Sequence, residues 1–282
     1  MTGHTMIQAA LRAKILTLSV ATTGAIAMSA TTTGYVRTPI AGVGTVSAAA
    51  GAATFTDTPP ANGSLVTVGA STYVVSASDG VSVCRLSGAP TFAASAFTWT
   101  GSFIVDGLAA GMEVKPSGFA SALVGTIKSV SADVVTISGG RTAEASASGR
   151  TLVVGAPSAR ANENVGPFIP TAGVPYLEEQ YLPGPAFIAN DGYAGVRTLR
   201  PMYSPRVYAP VNTDIFADGA YADAILALFA PGTTITLSSG DHLVVRADVA
   251  PYPGQRAPGV TAGWSCIPVN IPLELRTASV PS

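Results

Sequence analysis

Two adjacent carboxylates, Glu178 and Glu179, lie in the run GVPYLEEQYLP (173–183). Paired carboxylates share acid and base work only when both face one cleft. This run reads as a strand, where neighbouring side chains point to opposite faces, so the pair is read as structural. His242 follows Gly240 and Asp241 at a hairpin turn, with serines nearby but no GxSxG elbow to present a nucleophile. The stretch GGRTAEASASGR (139–150) has glycines and arginines but lacks the GxxxxGK[ST] of a phosphate loop. Cys84 and Cys266 sit in apolar, strand-like runs and read as small buried hydrophobes. His4 lies near the terminus, and no Cys/His/carboxylate spacing resembles a metal site. The expectation is therefore no catalytic residue, no cofactor and no metal, and not an enzyme. Arg197, Arg200 and Arg206 form the one local basic cluster. Alternation places Arg200 and Arg206 on one face, as charges lining a channel, pairing across a subunit interface or simply solvated. Tyr176, Tyr181, Tyr193, Tyr203 and Tyr208 read as packing residues rather than a base-stacking platform.

These residues need elements to hold them. Ile7, Leu11, Ile15 and Leu18 follow helical spacing, with Gln8, Arg12 and Lys14 off the stripe, which predicts a helix at about 5–19. A rival reading takes residues 11–32 as a secretory signal, two basic residues followed by an apolar run ending in small residues. Residues from about 30 to 158 are rich in Ala, Ser, Thr, Gly and Val, and short β-branched runs recur at about ten-residue spacing. That rhythm predicts a small barrel or sandwich, or two tiny ones. Later, Tyr221, Ile225, Leu228 and Phe229 form the stripe of a second helix, with Asn212 or Thr213 as cap and Asp214 and Asp218 near its positive end. Pro231 and Gly232 stop it. The last strand alternates cleanly: Ile267, Val269, Ile271, Leu273 and Leu275 share a face. Pro268 and Pro272 cannot donate to a ladder, which predicts a sheet edge or a free side there.

The chain of 282 residues has 30 Gly and 21 Pro, a charged fraction of only 11% and a net charge of −1. Turn-rich β structure follows from the first two, and no general attraction to nucleic acid or anionic membrane from the last. Few charges suit a surface covered by other subunits. No wholly apolar run of 18 residues follows the N-terminal region, so no membrane span is expected. The first helix has no sheet to pack on until residue 173. The economical arrangement is an α+β domain of residues 1–30 and 159–282, a mainly antiparallel sheet packed by two helices. It is interrupted by an inserted all-β barrel or sandwich domain at 31–158, since insertions into surface loops cost little.

With the insertion set aside, five motifs fall in order: Ile7, Gln8, Ala9, Ala10 and Leu11; Asn164, Phe168, Pro170, Gly173, Pro175, Tyr176 and Leu177; Tyr193, Gly195 and Pro205; Ile225, Phe229, Gly232 and Thr233; Gly263, Trp264, Pro268, Val269, Ile271 and Pro272. This order resembles the tail terminator (tail completion) proteins of long-tailed bacteriophages, over about half the chain. It departs from the family pattern at Gly166 and Pro167, where a Trp is usual, at Arg197 and Thr198, and in the size of the insertion. The resemblance implies a non-enzymatic virion protein, six copies of which form a ring that caps the tail tube at the head-proximal end. Its partners would be copies of itself, the tail tube protein and the head-tail connector protein. Genomic DNA would pass through without specific binding, no membrane would be involved, and synthesis would be in the host cytoplasm. The alternatives are another virion structural protein, such as a tail tube or head-completion protein, and a secreted β-rich binding module.

Overall fold

The computed structural model describes residues 3–161, 168–188, 197–211, 217–258 and 263–277; of residues 186–188, 197, 257–258 and 276–277 only the backbone is described. The chain is mostly β, with 47% of residues in strands and 10% in helices. This overturns the α+β class expected from sequence. The two amphipathic stripes are real, but they make helices of only 13 and 12 residues, α1 (Gly3–Ile15) and α2 (Ala217–Leu228). A 10-stranded sheet is far larger than two such helices can cover, and the Gly/Pro-punctuated chain elsewhere makes barrels.

Two compact units divide the chain: residues 1–20 with 155–282, and residues 21–154. In the second unit, strands Ile26–Ala30, Gly34–Arg37, Val134–Ile137, Gly125–Val130, Glu113–Ser117 and Glu144–Gly155 pair in that order. Glu144–Gly155 also pairs back to Ile26–Ala30, which closes a barrel. Met28, Tyr35, Val114, Ile127, Val135 and Leu152 fill it and are almost wholly buried. Ser19–Thr22 and Ile26–Ala30, both within the candidate signal segment, are strands of this sheet. An 8-stranded open sheet runs from Phe92–Ser95 at one edge to Ile40–Ala41 at the other, a half-barrel around Val46, Phe55, Val66, Val75 and Phe97.

In the first unit the long strand Trp264–Thr277 is the spine. Along one side it pairs antiparallel with Met202–Pro210, which pairs in turn with Tyr176–Leu182. Along the other side its partners are broken into short pieces, His242–Val245, Tyr252–Pro253 and Ala257–Pro258. The strand is therefore central, not an edge. Pro268 and Pro272 still accept there, from the N–H of Gly254 (2.7 Å) and of Arg246 (3.0 Å). Their missing donors face the side where the ladder is already interrupted, so the prolines cost little.

The helix stripe of α1 reaches its expected end state: Ile7, Leu11, Ile15 and Leu18 are at most 4% exposed. Burial of each contributes about 1.5–3 kcal/mol. The helix stops at Ile15 rather than 19, because Thr17 and Leu18 tighten to i−3 bonds and strand Ser19–Thr22 begins at once. Tyr221 and Ile225 of α2, and Phe229 just beyond its end, are fully buried. The capping candidates Asn212 and Thr213, with Asp214, lie outside the described residues, as do Asn164, Gly166, Pro167, Tyr193 and Gly195. Among the described residues no helix is long and apolar enough to cross a membrane.

In the half-barrel Ala50, Ala77 and Ala89 take a left-handed φ, and the first of them sits in a tight hairpin turn. Strands Val46–Ala49 and Ala52–Phe55 are joined by Ala50 (φ 48°) and Gly51 (φ 84°), both left-handed. Such a turn favours Asn-Gly, and an Ala there costs about 1–2 kcal/mol. Ala50→Asn keeps the backbone N–H that bonds Thr91 Oγ1 at 3.0 Å. It should stabilise the protein by about 0.5–1 kcal/mol, read as a raised midpoint in chemical denaturation.

Candidate functional site

Strand Tyr176–Leu182 carries the two carboxylates on opposite sides, and each has become the centre of its own network. Glu178 shares a face with Tyr208 and Arg206. The Tyr208 hydroxyl donates to Glu178 Oε2 at 2.8 Å, Arg206 Nη1 stands 3.8 Å from the same oxygen, and Arg206 Nη2 donates to Gln180 Oε1 at 3.2 Å. The register places Glu178 directly opposite Arg206, which is why they meet. At the end of this face Tyr176 stacks on Tyr208 with centroids 4.5 Å apart, and Trp264 and Phe168 close in edge-on or tilted.

Glu179 faces the other way and is buried. Arg160 Nη1 donates to its Oε1 at 2.6 Å, and the Tyr203 hydroxyl donates to Oε2 at 3.0 Å. Arg12 of α1 stands 3.8 Å off. His4 of α1 meets Tyr181 edge-on, and Phe229 beyond the end of α2 packs against Tyr203. Glu179 is held on both oxygens, by Arg160 and Tyr203, and Glu178 is held on one by Tyr208, so each carboxylate ties strands together on its own side of the sheet.

The three arginines of the basic cluster do not act as one group. Arg206 is held as above. Arg200 Nε lies 3.9 Å from Glu274 Oε2, on a different strand from the Arg206 partners. The backbone of Arg197 pairs with Thr277, and its side chain is outside the described residues. Near Arg200 a cavity of about 500 Å³ is lined by Val244, Arg246, Asp248 and Glu274 among others. Arg246 donates to both Asp248 oxygens, at 3.0 and 2.5 Å, and that bonding lowers the Asp248 carboxyl below its usual value.

His242 is exposed, with Thr236 Oγ1 3.4 Å from Nδ1. Cys84 and Cys266 are buried free thiols. Burial raises both thiols. Among the described residues no group of three His, Cys, Asp or Glu could hold a metal ion. Asp218 is fully buried at the start of α2 and bonded twice by Arg256, at 2.8 and 3.2 Å. Sequence reasoning missed this pair and the roles of Arg12 and Arg160. Strand alternation could have assigned Glu179 to the inner face, but nothing local points to Arg160 as its partner, 19 residues away.

Residues 143–273 match the family model of the phage tail terminator protein, a little under half of the chain. The match assigns this region to a phage tail terminator family, and with it a structural role in a phage tail. It runs from the residue before strand Glu144–Gly155 through Leu273 of the long spine strand. No curated protein matches the chain. A solved structure aligns with 45% of this chain and 83% of its own at 21% identity, with a TM-score of 0.35, a likeness too low to carry an argument.

The buried phenols give a pH signature. Burial, then the Glu178 charge, pushes Tyr176 up to about 12. Burial raises Tyr208 and Tyr203 as well, helped by their bonds to Glu178 and Glu179. A folded pKa above the unfolded value contributes stability that is complete below pH 10 and is lost as pH rises through the folded value. Stability should therefore fall from about pH 10 toward 12. Tyr176→Phe and Tyr208→Phe should flatten that fall in alkaline denaturation curves. An unchanged slope in both variants would remove these tyrosines as its source.

Proposed function

We propose that the protein is a tail terminator that caps the tail tube as a ring of copies, six in number, and joins it to the head-side connector. The observation that carries this reading is the family match over residues 143–273. Under this reading the unit of residues 1–20 and 155–282 is the terminator domain, and residues 21–154 are an insertion within it. The protein then resides at the head-proximal end of the tail after synthesis in the host cytoplasm, and belongs to a long-tailed phage with a siphovirus-type tail. DNA passes through the ring without sequence readout, and no membrane takes part.

Of the readings open to Arg197, Arg200 and Arg206, the geometry favours contacts between subunits over a channel lining. Arg206 and Arg200 each stand within 4 Å of a carboxylate of the chain itself. A cation so neutralised attracts phosphate weakly, whereas a mixed pair suits a protein surface of equal mix. A ring requires a heterologous interface whose rotation closes.

The test is the mass of the purified full-length protein in solution, with negative-stain images of the same sample and of the protein mixed with isolated tail tubes. Rings of six, alone or at tube ends, are the expected outcome. A protein that stays monomeric and ignores tube ends would end the proposal. Arg200→Ala combined with Arg206→Ala should weaken ring assembly roughly tenfold, about 1.4 kcal/mol, in a concentration series.

A further inference from the structure

We propose that Glu179 is a clasp that closes the interrupted unit across its two cut ends. This unit gives up the chain after Val20 and takes it back at Gly155. Each cut end carries one arginine that reaches the same carboxylate. Arg12 lies on α1, upstream of the departure, with Nε 3.8 Å from Glu179 Oε2. Arg160 lies just past the return, with Nη1 2.6 Å from Oε1. The hydroxyl of Tyr203, from the strand that pairs with the long spine, donates to Oε2 at 3.0 Å.

The two segments so gathered are weak on their own. Strand Ala159–Ala161 is three residues long and, among the described residues, pairs only with Tyr176–Leu182, in parallel. Helix α1 has 13 residues, a length that is marginal in isolation. Chain continuity between them runs through the whole of residues 21–154, so it brings them together at an entropic cost that direct contacts must offset. The Glu179 side chain is 5% exposed and that of Arg160 19%. Charge-assisted bonds are strong in such a place, and losing the carboxylate leaves a half-buried guanidinium without its anion. The outer arm is different, because Arg12 is 42% exposed and its contact is long. By itself that arm contributes little. It gains from a carboxylate already fixed by Arg160 and Tyr203, so the two ends are coupled through one group. This inference is independent of the tail role.

Hydrogen exchange with mass spectrometry on the full chain tests it. In Glu179→Gln, amides of α1 and of 159–161 should exchange at least tenfold faster, while barrel strands 26–30 and 125–137 stay within twofold of wild type. Unchanged protection in either α1 or 159–161 would overturn the clasp. Arg160→Gln keeps the idea falsifiable where the first variant does not fold. Removing this one arm should loosen both 159–161 and α1, and loosening confined to 159–161 would reduce Arg160 to a local strand contact.

Discussion

The first unit depends on one constraint: a fourteen-residue strand, Trp264–Thr277, that must satisfy ladders on both sides while carrying two prolines. One side is given to a long continuous neighbour, Met202–Pro210, and the other to short pieces of a wrapping segment. The break in the second ladder lets residues 246–258 run as a strap that bonds Pro272 and Pro268 through backbone carbonyls. The strap is held again where Arg256 grips Asp218 at the start of α2. Backbone donors absent at two positions thus set the path of a whole loop, and an ion pair between exposed Arg256 and buried Asp218 secures it.

Charge in this protein is scarce, and part of it is used inward. With 11% charged residues, the first unit still spends Glu178, Glu179 and Asp218 on contacts between elements. The barrel does the same with Arg150, which reaches Glu144 at 2.8 Å and the carbonyls of Met28 and Ala145. Each such group ties together segments far apart in sequence. The remaining surface is left poor in ions, which suits a protein whose surroundings are other proteins.

Much of this was readable in the chain, though unevenly. The stripes Ile7–Leu11–Ile15 and Tyr221–Ile225–Phe229 found both helices, because 3.6-residue periodicity is a local signal. The opposite facing of Glu178 and Glu179 followed from strand alternation in the same way. The class was misjudged because clear helices outweigh faint strands to a reader: elements such as Ile40–Ala41 or Ala257–Pro258 are two residues long and acquire meaning only through a distant partner. The same limit hid Arg160 and Arg256, whose acidic partners are chosen by topology. The prolines of the last strand were noticed correctly but weighed too heavily, since sequence does not reveal that one ladder is interrupted where they fall.

The barrel's closure has a bearing on solubility. Sheet edges are where chains stick to one another, and pairing Glu144–Gly155 back to Ile26–Ala30 removes the seam that an open six-stranded sheet would offer. The neighbouring half-barrel keeps two margins, but they are the four residues Phe92–Ser95 and the two residues Ile40–Ala41. Strips this short give a neighbouring chain too few backbone groups to template on. These units therefore present little backbone edge on which fibres could nucleate.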